Sequence, residues 1–60
     1  MTADHLREEL AALYERQRDA EDAVADHRVT DMAEWRAAVD RRAERIRVLE
    51  ARLRDGGEAA

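Results

Sequence analysis

Cysteine, proline, serine, lysine, asparagine and phenylalanine are all absent from this 60-residue chain. Without cysteine there is no disulfide staple, no thiol chemistry and no thiolate metal site. Without serine or cysteine the usual hydroxyl and thiol nucleophiles of covalent catalysis are missing. The two glycines are adjacent, at Gly56 and Gly57, so no glycine-rich loop is available to cradle a phosphate. Tyr14 and Trp35 are the only aromatic residues, too few for a platform on which nucleic-acid bases stack. No apolar run is long enough to cross a bilayer, and the N-terminus lacks the charged-then-apolar pattern of a signal peptide. The expected location is therefore the cytoplasm or the inside of a phage particle. The missing lysine, asparagine and phenylalanine share AT-rich codons, which points to a GC-rich bacterial or phage genome.

What is present is the vocabulary of long helices: alanine, leucine, glutamate and arginine. Charged residues make up 43% of the chain, with 11 arginines against 15 acids and a net charge of −4. That sign disfavours general binding to nucleic acid or to anionic lipid. Residues 1–40 hold five arginines and eleven acids, whereas residues 41–54 hold six arginines and two acids. The two parts are complementary, so they meet each other or the basic part meets a partner.

Two heptad stripes organise the apolar residues. The first is Leu6, Leu10, Leu13, Gln17, Ala20, Val24 and His27. The second is Met32, Trp35, Val39, Arg42, Ile46, Leu49 and Leu53. Both alternate steps of three and four, the period of a coiled-coil seam. Between them the phase slips by one residue, within a stretch of weaker helix formers that includes Val29, Thr30 and Asp31. The sequence thus predicts a helix over 3–27, a turn at 28–30, a helix over 31–55 and a frayed tail at 56–60. Thr2 suits the first N-cap and Asp31 the second, with Glu34 completing a capping-box spacing and Thr30 as the rival cap. Gly56-Gly57 reads as the stop.

Folding the chain at the turn gives an all-α, two-helix antiparallel coiled-coil hairpin. It sets His27 against Met32, Val24 against Trp35, Ala20 against Val39 and Gln17 against Arg42. Farther from the turn come Leu13 with Ile46, Leu10 with Leu49 and Leu6 with Leu53. The two polar members in mid-seam fall into one layer, and the small Ala20 leaves room for the Trp35 indole. On one flank the expected pairs are Arg7–Glu50, Tyr14–Ala43 and Glu21–Arg36. On the other they are Glu9–Arg52, Arg16–Arg45 and Ala23–Ala38. A domain-swapped antiparallel dimer makes the same layers between chains, and only the turn residues favour the hairpin.

One seam is a small core for a chain without staples. The expectation is association, either as a homodimer forming a four-helix bundle or by docking on a larger protein. Ala12, Ala23, Ala37, Ala38 and Val48 form a second, weaker apolar surface that permits close helix approach. The Gln17–Arg42 layer reads first as a register-fixing polar layer. Its functional alternative is an anion or partner-carboxylate site built from Arg16, Arg42 and Arg45. Arg41, Arg45 and Arg52 share one side of the second helix and could reach phosphates. His5 and His27 are too far apart along one helix to share a metal, and no metal, cofactor or small-molecule substrate is expected.

The run Arg41-Arg42-Ala43-Glu44-Arg45-Ile46-Arg47-Val48-Leu49 resembles part of the small two-helix protein of the large ribosomal subunit. That family is strongly basic and this chain is acidic, so no role is carried over. The functional expectation is a non-catalytic assembly or adaptor protein working through helix–helix contacts. The alternative is a small regulator that touches nucleic acid or polymerase through the arginines of the second helix.

Overall fold

The computed structural model describes residues 2–59. Two helices, α1 (Ala3–Ala25) and α2 (Met32–Ala59), run antiparallel and pack on each other as a hairpin 44 Å long. α1 starts where the sequence predicts. The Thr2 backbone is extended, and its hydroxyl accepts the His5 backbone N–H at 3.2 Å. This satisfies one of the N–H groups that the first turn leaves unpaired. At α2 the cap is Asp31 rather than Thr30, because the Asp31 carboxylate accepts the Glu34 N–H at 3.0 Å.

The turn is longer than predicted. α1 ends at Ala25, not at residue 27, and the connection runs from Asp26 to Asp31. Asp26 is the C-cap, and His27 takes a left-handed conformation with φ 58°. The His27 N–H donates to the Val24 carbonyl at 3.2 Å, and the Arg28 N–H donates to the Ala23 carbonyl at 2.9 Å. Those two bonds make a complete Schellman motif, with a histidine at the position glycine usually fills. Termination here depends on paired carbonyls rather than on a helix breaker, which is why composition alone misplaces it.

The predicted stop at Gly56-Gly57 is not used: α2 continues to Ala59, and neither glycine has a positive φ. Glycine ends a helix by turning left-handed. When it keeps helical angles it costs only about 1 kcal/mol relative to alanine. Within the predicted frayed tail, residues 56–59 are therefore helical, and Ala60 lies outside the described residues.

Burial along the seam is uneven. Leu6, Leu10 and Leu49 are buried, and Leu13, Ile46 and Leu53 pack against them. All six lie at the open end, where the two termini meet. Toward the turn the layers hold Ala20, Val24, Trp35 and Val39, each only half-buried. Met32, predicted as a seam residue, is 46% exposed. Its expected partner His27 has left α1, so that layer never forms.

Candidate functional site

The mid-seam polar layer forms as the heptads require. The Arg42 guanidinium donates to Gln17 Oε1 at 2.7 Å, and Gln17 Nε2 donates to the Val39 carbonyl at 3.2 Å. Gln17 thus uses both ends of its amide across the interface, fixing register at a half-buried position. Nearer the turn, the Trp35 indole N–H donates to the Ala20 carbonyl at 2.9 Å. Ala20 was legible as the small neighbour of the indole. The hydrogen bond follows from a rule about tryptophan: a partly buried indole N–H has no acceptor capacity of its own and needs a carbonyl.

The flanks carry the predicted residues with different partners. Glu9 meets Arg45 at 3.0 Å rather than Arg52. This turns the Arg45 guanidinium to a carboxylate and away from the expected like-charge partner Arg16. Glu50 accepts the Tyr14 hydroxyl at 2.6 Å, and Arg7 pairs within its own helix with Asp4. Side chains on a helix lean toward its N-terminus. Tyr14 therefore leans toward the C-terminal part of the antiparallel α2, where Glu50 lies, and passes Ala43. The hydrogen bond to Glu50 is the main cause that raises the Tyr14 pKa above its ordinary 10.0. Glu21–Arg36 is not among the ion pairs of the described residues.

Of the arginines singled out in the sequence, two are engaged: Arg42 is held by Gln17 and Arg45 by Glu9. Arg16, Arg41 and Arg52 are exposed and form no ion pair among the described residues. No group of three or more histidine or acidic side chains is placed to hold a metal among the described residues. No described helix is long and apolar enough to cross a membrane.

Two open grooves lie along one flank of α2. At the open end, a groove of about 590 Å³ is lined by Leu6, Val48, Ala51, Arg52, Asp55 and Gly56. At the turn end, a groove of about 330 Å³ is lined by Val29, Trp35 and Ala38 together with Arg28, Thr30, Asp31 and Glu34. Val48 and Ala38 belong to the second apolar surface seen in the sequence, and the structure adds Leu6, Ala51 and one side of Trp35. A third groove, on the opposite flank, is bordered by the Tyr14–Glu50 hydrogen bond. Compared with known protein families, curated proteins and solved structures, the chain matches none of them.

Proposed function

We propose that this chain is a non-catalytic helical assembly or adaptor protein that acts through coiled-coil-type contacts with other protein surfaces. The observation that carries this reading is the thinness of the core. A single seam buries only Leu6, Leu10 and Leu49 among the described residues, and of these only Leu49 completely. Two grooves remain open beside it, a mostly apolar one at Leu6–Val48–Ala51 and one at Val29–Trp35–Ala38 that Arg28, Thr30, Asp31 and Glu34 also line. A hairpin of this kind gains most by covering those grooves with another helix. Tryptophan at the edge of such a groove is a common anchor of protein interfaces. The finer reading is a small accessory or structural subunit of a larger complex, such as a phage particle, which suits the size and the codon-biased composition.

Affinity capture from the native host, with and without nuclease, tests the proposal. Recovery of a defined protein that is insensitive to nuclease supports it. Nuclease-sensitive recovery replaces it with the reading in which the α2 arginines contact nucleic acid. That second reading has less support, because the chain is acidic overall, Arg45 is already held by Glu9, and only Arg41 and Arg52 of its row are left without an ion pair among the described residues.

A further inference from the structure

The two grooves on the α2 flank are built on one helical row. Glu34, Ala38, Arg41, Arg45, Val48 and Arg52 follow one another in steps of four and three, so they share a face. Laid against a parallel copy of itself, this row sets each charge against its own kind. Reversed, it sets Arg52 against Glu34 and Val48 against Ala38, twice over. At the centre Arg41 then faces Arg45, whose charge is already met by Glu9 at 3.0 Å. At the outer end Asp55 faces Asp31 of the second copy, and Arg54, 4.0 Å from Asp55 on its own chain, offsets that like-charge contact.

The apolar parts follow the same order. Outward from the middle of the flank, one groove presents Val48 and Ala51, then Arg52. The groove that overlies it in the reversed copy presents Ala38 and Trp35, then Glu34. Apolar surface meets apolar surface, and an arginine without an ion pair meets an acid without one. The hairpin exposes 4763 Å² in all. A standard interface takes about 800 Å² from each partner, roughly one sixth of that surface.

We propose that the occupant of both grooves is a second copy of this chain, docked antiparallel across the α2 flank about a two-fold axis. Each open-end groove receives the Trp35 edge of the other copy, and Arg52 pairs with Glu34 at both ends. This rests on the assembly reading above and names the partner of that surface.

Sedimentation equilibrium of the full chain, with circular dichroism to confirm helicity, is the test. The native chain is expected to be a dimer at high micromolar concentration and to dissociate with added salt. Arg52→Glu and Glu34→Arg each change exposed side chains, and each should weaken the dimer by roughly tenfold or more while leaving the hairpin helical. An equimolar mixture of the two variants should dimerise again, because in the mixed dimer one site carries the ion pair with its charges exchanged and the other carries the native pair. A monomeric native chain overturns the proposal. So does a dimer indifferent to both variants, as a domain-swapped form would be, or a mixture that stays monomeric. A monomer that still captures a nuclease-insensitive partner removes this proposal and leaves the adaptor reading standing.

Discussion

His27 holds a backbone conformation in which a β-carbon crowds the chain, at φ 58°, and the two hydrogen bonds of the Schellman motif keep it there. Replacing it with glycine removes that crowding and leaves both bonds available, at some cost in unfolded-state entropy. His27→Gly should raise stability by about 0.5–1 kcal/mol, read as a higher midpoint in thermal unfolding followed by ellipticity. The polar layer behaves differently from a simple buried charge. Arg42→Leu strands the half-buried Gln17 Oε1 and should cost about 1 kcal/mol in chemical denaturation. Adding Gln17→Leu removes the stranded group, and the double variant should be at least as stable as the native chain while losing orientation specificity. Tyr14 donates its proton to the Glu50 carboxylate, so its pKa in the folded chain lies above that in the unfolded chain. Its contribution is complete below pH 10 and lost as pH rises through the folded value. Ultraviolet titration of the single tyrosine should therefore give a midpoint above 10.0, and Glu50→Gln should bring it down.

Along each helix, stability is concentrated at one end. Leu49 has no exposed surface and sits among Leu6 and Leu10, whereas Met32 is nearly half exposed at the start of the same helix. Leu49→Ala should lower unfolding free energy by about 2–4 kcal/mol, and Met32→Ala should stay within about 0.5 kcal/mol. Equilibrium urea unfolding of the two variants side by side makes the comparison. The stripes, the Thr2 and Asp31 caps and the Gln17–Arg42 layer were legible in the sequence, since each depends on residue type at a fixed local spacing. The helix ends were less so. The αL residue is a histidine, and no propensity marks it, while Gly56-Gly57 resembles a stop but keeps helical angles. Flank membership was legible and partner choice was not. Tyr14 reaches past its opposed position to Glu50 along the lean of its helix, whereas Glu9 and Arg45 meet against theirs, so side-chain length decides that pair. The grooves were visible only as scattered alanines and Val48, because Leu6 joins them only once α1 lies beside α2.

As a whole the molecule is a short rod, 44 Å by 16 Å by 14 Å, with a radius of gyration of 13.9 Å. Small-angle scattering from dilute solution should return a value near 13.9 Å for the single hairpin, whereas chain exchange into a swapped pair gives a larger particle. The rod's core lies at one end and its only indole toward the other, tied to the Ala20 carbonyl near the reversal. The chain therefore carries its own optical gauge of direction. Unzipping that begins at the termini would drain ellipticity while tryptophan emission held steady, and unzipping from the loop would shift emission first.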